Sequence, residues 1–304
     1  MNMRNDHTAA PRIIDSVIRT ADGRTRSHRI YVPASLPAHP APLLVALHGG
    51  MGSNLQFERS SGFDLLAERF GFIVVYPNGV GRGPDDGRFR TWNAGICCGP
   101  AVRMRVDDVG HVRQLIAAVE AQFPIDRTRV FAAGHSNGGL MAYRLACELS
   151  DRIVAVGIQS GGLGVSGCAP THPVSVLHVH GTADPNVPIG GGIGSNSIAR
   201  VSFPSAEWST RTIAAAMGCD DRPIVEHDPT NPDLEIRTRR NTATLAEVRL
   251  VAVRGAGHGW MGSTVARGRP RGRPLLTTPA STSTSTFDTS SAIVQFLLSH
   301  PRRA

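Results

Sequence analysis

The amino-acid sequence predicts an α/β fold, with a mostly parallel central sheet, helices on both faces and an antiparallel hairpin at the N-terminal edge. Three observations carry that expectation. Short apolar runs at 43–47, 72–76, 130–133, 153–158 and 174–179 have the length and β-branched content of strands buried on both faces. Stretches at 57–70, 106–122 and 140–149 place apolar residues at helical spacing and alternate with those runs, as successive strand-helix units do. Several of the runs stop at glycine-rich turns that carry a serine, an aspartate or a histidine.

In chain order, residues 13–20 and 27–32 alternate apolar and polar positions around Ala21-Asp22-Gly23, which reads as the hairpin. A proline-rich connection leads to the central strand 43–47 and then to the glycine loop His48-Gly49-Gly50-Met51-Gly52. The helix at 57–70 precedes the strand at 72–76, which Pro77-Asn78-Gly79 stops, and a polar loop occupies 81–100. Asp107-Asp108 stand where an N-cap is expected for the helix at 106–122. After the strand at 174–179, residues 185–204 are rich in Gly, Ser and Asn and read as a loop or lid. A helix over 206–217, strands at 234–239 and 248–253, and a closing helix over 289–299 capped by Asp288 complete the pattern. Residues 264–286 are of low complexity. With no composition break elsewhere, the organisation predicted is a disordered tail at 1–12 and one catalytic domain over 13–300 with a mobile insertion at 264–286.

Composition narrows the classes. No apolar run approaches the ~20 residues that cross a bilayer. The net charge of +8 comes from 32 basic residues, all arginine and scattered along the chain, which does not describe a nucleic-acid surface. The first twelve residues are polar and show no apolar signal-peptide core. The five cysteines, Cys97, Cys98, Cys147, Cys168 and Cys219, lack zinc-ligand spacing, and their odd number leaves at least one thiol unpaired in a monomer.

The chemistry is concentrated at the strand ends. Gly134-His135-Ser136-Asn137-Gly138 fits G-x-S-x-G between a strand and a helix, the setting of a nucleophile elbow. Asp184 and His258 follow later strands, so the chain order Ser…Asp…His is that of an α/β-hydrolase triad. A serine hydroxyl needs an imidazole to take its proton, and a carboxylate fixes that imidazole's tautomer. Ser136 is therefore the candidate nucleophile, His258 the base and Asp184 the acid, with Asp108 as the rival acid; His48 and His180 read as architectural, and His135, inside the elbow motif, points elsewhere. Stabilising the oxyanion takes backbone N–H groups. Asn137 supplies one and Gly50 or Met51 the other, a choice the sequence leaves open. Trp92 and Trp260 are candidates for the wall of a substrate pocket. Chemistry of this kind needs no metal and no cofactor.

Six segments together resemble a known family. Leu-His-Gly-Gly at 47–50, Trp-Asn-Ala-Gly-Ile-Cys-Cys-Gly at 92–99, Val-Asp-Asp-Val at 106–109, Gly-His-Ser-Asn-Gly-Gly at 134–139, His-Gly-Thr-Ala-Asp-Pro-Asn-Val-Pro at 180–188 and Gly-Ala-Gly-His-Gly-Trp at 255–260 look like the esterases of the polyhydroxybutyrate-depolymerase type, which include feruloyl and acetylxylan esterases. The resemblance runs from about residue 25 to 299. It implies the α/β-hydrolase fold, Ser136, Asp184 and His258 as the triad, and a polyester, hydroxycinnamoyl or small acyl ester as substrate. Family members are usually exported, whereas no signal peptide is visible here, so a cytoplasmic location stands beside an extracellular one. The cysteine that would pair with Cys219 is replaced near Thr242, which speaks against a Cys219 disulfide. Cys98 with Cys168 is then the candidate bridge ahead of a vicinal Cys97–Cys98 bond, and Cys147 reads as a buried thiol.

Two rival functions follow from the residues. A serine peptidase of the prolyl-oligopeptidase kind shares the elbow and acid loop but carries a large extra domain. Pro270-Arg271-Gly272-Arg273-Pro274 resembles the core of an AT-hook, which lays arginines in an A·T-rich minor groove. A single such copy, with no second basic cluster, is better read as a solvated low-complexity segment, so no nucleic-acid partner is favoured.

Overall fold

The computed structural model describes residues 10–82, 87–262 and 287–302. In chain order these form strands β1 (Arg12–Arg19), β2 (Thr25–Val32) and β3 (Ala41–Leu47), helices α1 (Asn54–Ser61) and α2 (Phe63–Phe70), and strands β4 (Ile73–Pro77), β5 (Val80–Arg82) and β6 (Arg88–Thr91). Helices α3 (Gly99–Arg103) and α4 (Asp108–Glu120), strand β7 (Ile125–His135), helix α5 (Asn137–Glu148) and strands β8 (Ala155–Gln159) and β9 (Ser175–Gly181) follow. The remainder is α6 (Ala206–Ala216), β10 (Ile224–His227), β11 (Leu234–Arg240), β12 (Glu247–Val253) and α7 (Thr289–Ser299).

Ten strands make one sheet in the order β1-β2-β4-β3-β7-β8-β9-β12-β11-β10. The inner six, from β4 to β12, run parallel, and antiparallel strands flank them on both sides. Parallel strands need both faces covered, and the sequence provides for this by alternation. Leu43, Val45 and Leu47 of β3 face the core built with α4 and α5, whereas Leu44 and Ala46 face Phe57, Phe63 and α7. Connections from β3 lead outward to β4, while those from β7 lead the other way to β8 and β9. The order therefore reverses between β3 and β7, which opens a crevice at their carboxyl ends where ligands of such sheets bind.

The structure departs from the sequence expectations where local chemistry overrides periodicity. The single helix expected over 57–70 is two helices, broken at Gly62, whose φ of +62° is a left-handed conformation that glycine adopts without penalty. The polar loop expected at 81–100 contains the β5–β6 ribbon and α3. The edge strand β10 was not expected, because its four residues are all exposed and leave no buried face to alternate against. Arg12 already pairs with Val32 in β1, so the sheet begins within the stretch expected as a tail. The low-complexity insertion at 264–286, including Pro270–Pro274, lies outside the described residues.

Asp107 caps α4 as expected, its Oδ1 accepting from Gly110 N at 2.8 Å. Asp108 does something else. It is fully buried, accepts from Arg26 Nη2 at 2.8 Å and from Asn93 N at 2.7 Å, and the Arg26 guanidinium lies over the Trp92 ring. This buried pair ties β2 and α4 to the loop after β6. Removing one partner leaves the other charge buried and uncompensated, so Asp108→Ala is expected to lower unfolding free energy by about 3–5 kcal/mol in urea titration. A loss below ~1 kcal/mol would contradict the bracing role.

Candidate active site

The site grows from the end of β7. Ser136 has φ +55° and ψ −120°, a conformation that costs a non-glycine residue about 1–3 kcal/mol. Its glycine neighbours make the turn sterically feasible: a Cβ on Gly134 would overlap the Gly138 carbonyl, and one on Gly138 would overlap the carbonyls of Leu47 and His48. Hydrogen bonds then lock the turn, with Ser136 N donating to Gln159 O at 2.9 Å and Leu140 N to Ser136 O at 2.9 Å.

The structure brings the three triad candidates together. His258 Nε2 lies 3.0 Å from Ser136 Oγ, and His258 Nδ1 lies 2.8 Å and 3.0 Å from the two oxygens of Asp184. With the Nδ1 proton donated to the carboxylate, Nε2 is left to accept from the serine hydroxyl. Asp184 also accepts from Asn186 N and Val187 N at 2.9 Å and 3.0 Å. Burial alone would raise its pKa, but the hydrogen bond and charge of His258, the Val187 N–H and His180 outweigh it and hold the carboxyl at about 2. Asp108 makes no contact with His258, being committed to Arg26 and Asn93.

Around this line, the histidines read as architectural are fully bonded. His48 Nδ1 donates to Gly49 O at 2.7 Å and Nε2 accepts from Gly79 N at 2.9 Å. His180 Nε2 faces Val187 O at 2.8 Å, and its Nδ1 faces His178 Nε2 at 2.9 Å; His178 Nδ1 in turn faces Tyr143 Oη at 2.9 Å. Two supports were missed from the sequence. His135 Nε2 donates to the carbonyl of His258 at 2.7 Å, and Gln159 Nε2 donates to the carbonyl of Gly259 at 2.7 Å while its Oε1 accepts from Met261 N at 3.0 Å. Burial, with the like charge of His258 second, holds the His135 pKa down at about 3, so it is a neutral donor. Both residues end strands beside the elbow, and that adjacency is a signal visible only once β7 and β8 are paired.

At the sheet crevice, Asn137 N is the first N–H of α5, a position with no partner inside the helix. The Asn137 side chain is spent on the loop after β6: it accepts from Trp92 N at 2.7 Å and donates to the carbonyls of Trp92 and Cys97 at 3.1 Å and 3.2 Å. Of the two other N–H candidates, Met51 N donates to Arg90 O at 2.7 Å and is engaged. Gly50 N takes no such bond among the described residues, and a Cβ on Gly50 would lie 3.6 Å from Asn137 Cβ, so the two loops meet here.

Several expectations are corrected. Trp92 is fully buried, its Nε1 donating to His48 O at 2.9 Å, and Trp260 is 7% exposed, packed edge-on to Phe57 and Phe63 with Nε1 on Ser290 Oγ. Neither offers a wall to substrate. Cys168 pairs with Cys147 rather than Cys98, at an S–S distance of 2.09 Å, because the end of α5 brings Cys147 beside the loop after β8. The vicinal sulfurs of Cys97 and Cys98 pair with each other. Cys219 stays a thiol, with burial pushing it up to about 11. The 185–204 stretch is a loop joined to itself by a Gly192–Phe203 bridge.

Comparison with known proteins agrees with this architecture. Residues 26–201 match the family described as Esterase PHB depolymerase, a span that includes Ser136 and Asp184 and stops before His258. The chain is 31% identical over 296 residues to a putative esterase, NocK, of Nocardia uniformis subsp. tsuyamanensis, covering 91% of this chain and 80% of that protein. It is 31% identical over 224 residues to feruloyl esterase B of Piromyces equi, covering 72% of this chain but 39% of that longer protein. Among solved structures, an acetyl xylan esterase from Aspergillus awamori superposes with a TM-score of 0.60 at 18% identity, over 82% of this chain and 94% of that one. The fold is that of the α/β-hydrolases.

A carboxylate held at about 2 stabilises the fold at any pH where it is ionised. Because the Asp184 pKa is depressed from the ordinary carboxyl value of 3.8, this contribution is complete above that value and is lost as pH falls toward about 2. Its size is about 2 kcal/mol. Urea unfolding at pH 5 and pH 2.5 should show a smaller acid-induced loss in Asp184→Asn than in the wild type; equal losses would contradict the depressed pKa.

Proposed function

The chain belongs to the Esterase PHB depolymerase family, and from that premise we propose that it is a serine carboxylic-ester hydrolase working through an acyl-enzyme, with residues 13–300 as its catalytic domain. The observation that carries this reading is the continuous line from Asp184 through His258 to Ser136, with contacts of 2.8 Å and 3.0 Å. In this scheme Ser136 Oγ attacks the ester carbonyl carbon as His258 Nε2 takes its proton. The N–H groups of Asn137 and Gly50 stabilise the oxyanion that forms on the carbonyl oxygen. Collapse of the tetrahedral species expels the alkoxide, which takes the proton from His258 and leaves as the alcohol. Water, deprotonated by His258, then attacks the acyl-serine carbonyl, and collapse frees the carboxylic acid and restores the serine hydroxyl. No step calls on a metal or cofactor.

The substrates that suit this reading are esters of hydroxyalkanoate oligomers, acetyl or feruloyl esters of plant polysaccharide, and small acyl esters. The names of the relatives, a feruloyl esterase and an acetyl xylan esterase, support that range. A panel of methyl ferulate, acetylated xylan, a hydroxybutyrate oligomer and short p-nitrophenyl esters tests it directly. Ser136→Ala is expected to cut turnover of every responding ester by about 10⁴-fold or more, as removing a serine nucleophile does. Activity within tenfold of wild type in that variant would end the serine mechanism.

A further inference from the structure

The loop that carries His258 is held in two halves. Its first half is bonded to the loop that carries Asp184: Gly255 N donates to Thr182 Oγ1 at 2.9 Å, and Ala183 N donates to Ala256 O at 3.0 Å. A Cβ on Gly181 would overlap the Ala256 carbonyl, so these segments meet backbone to backbone. The second half is bonded to the strand ends beside the elbow. There His135 Nε2 donates to His258 O at 2.7 Å, Gln159 Nε2 donates to Gly259 O at 2.7 Å, and Met261 N donates to Gln159 Oε1 at 3.0 Å. His135 and Gln159 are register partners in the β7–β8 pair.

Gln159 holds the nucleophile as well. Its backbone O accepts from Ser136 N at 2.9 Å, so one residue is bonded through its main chain to the serine turn and through its side chain to the histidine loop. The residue is fully buried, and its backbone is fixed in the sheet, where it pairs with His135 of β7 and Val179 of β9. The chain turns away directly after it: Ser160 takes φ +55° while its N–H still donates to Val179 O at 3.0 Å. A side-chain amide carries both an acceptor and a donor, and so satisfies a backbone N–H and a backbone C=O of the histidine loop together.

We propose that Gln159 is a positioning residue that sets the separation of His258 from Ser136, while the contacts of Thr182 and Ala183 set the separation of His258 from Asp184. The proposal rests on the serine-esterase reading above. In that reading the serine proton crosses the 3.0 Å between Ser136 Oγ and His258 Nε2. Widening such a gap by about 1 Å takes the transfer out of hydrogen-bond reach and costs about 10²-fold in rate. Because the two halves of the loop are held by different strands, loss of the Gln159 amide opens the gap to Ser136 and leaves the gap to Asp184 closed.

Gln159→Met keeps the length of the side chain and removes both of its bonds to the loop. On p-nitrophenyl acetate, kcat and kcat/KM are expected to fall together by about 10²-fold with KM unchanged, the pattern of an interaction made in the transition state. The low-field NMR signal of the His258 Nδ1 proton, which reports the bond to Asp184, is expected to persist. A kcat/KM within about threefold of wild type, or a loss confined to KM, would overturn the proposal. So would disappearance of the Nδ1 signal in folded Gln159→Met, because the two separations would then be one. Should that variant not fold, Gln159→Glu decides. Its carboxyl keeps an acceptor for Met261 N, donates to Gly259 O only when protonated, and has its pKa raised by burial. The ratio of its kcat/KM to that of the wild type is therefore expected to rise as the pH falls from 8 to 6, and a constant ratio would overturn the proposal. Retained ester turnover in Ser136→Ala would instead overturn the serine-esterase reading, so the two failures are told apart.

Discussion

Everything at the site depends on one tight turn, in which the chain leaves β7 at His135 and enters α5 at Asn137 with a single serine between. The turn holds Ser136 at φ +55° and leaves no room for side chains at Gly134 or Gly138, which contact each other and the end of β3. Strain of this kind persists only where the surroundings over-determine it. Here the surroundings are the parallel pairings of β7 with β3 and β8, which fix both sides of the turn before the helix begins. The same closeness brings the glycine loop after β3 against the first N–H of α5. The position of Ser136, the proposed oxyanion donors and the crevice are thus consequences of one steric solution at the point where strand order reverses.

Two buried aspartates near the site show how environment separates the role of a carboxylate from its residue type. Asp108 meets a permanent cation, Arg26, and one backbone N–H, yet burial dominates and its pKa is raised. At Asp184 the hydrogen bond and charge of His258, the Val187 N–H and His180 together overcome burial. A carboxylate satisfied by several convergent donors stays ionised without a fixed cation beside it, so its charge is available to an imidazole that becomes cationic. Asp108 is tied to its guanidinium and serves the architecture.

The strand ends and the elbow were legible in the sequence because each depends on local chemistry: β-branched runs, glycines and a terminal polar residue. The line of Ser136, Asp184 and His258 could be expected from chain order alone, and the geometry places those residues within hydrogen-bonding distance. Aromatic and sulfur side chains were not legible in the same way. Trp260 follows His258 by two residues, yet its ring turns into the Phe57–Phe63 core, and sequence proximity says nothing of that direction. The partner of Cys168 follows from how α5 ends against the loop after β8, a tertiary contact between segments 21 residues apart. The helix break at Gly62 was written in the glycine, but the surrounding apolar spacing reads as continuous across it.

The histidines behind the acid add a constraint of direction. The Val187 carbonyl can only accept, so His180 Nε2 carries a proton, and in a neutral ring its Nδ1 must accept. His178 Nε2 therefore donates to His180, His178 Nδ1 accepts, and the Tyr143 hydroxyl closes the series as donor. Burial holds both imidazoles below their ordinary pKa, which agrees with the neutral form that this order of bonds requires. Only one arrangement of protons satisfies all three contacts. It sets a neutral N–H, not an imidazolium, 3.6 Å from Asp184 Oδ2. In the proposed mechanism the imidazole that becomes cationic against that carboxylate is then His258, whose ring lies between Asp184 and Ser136.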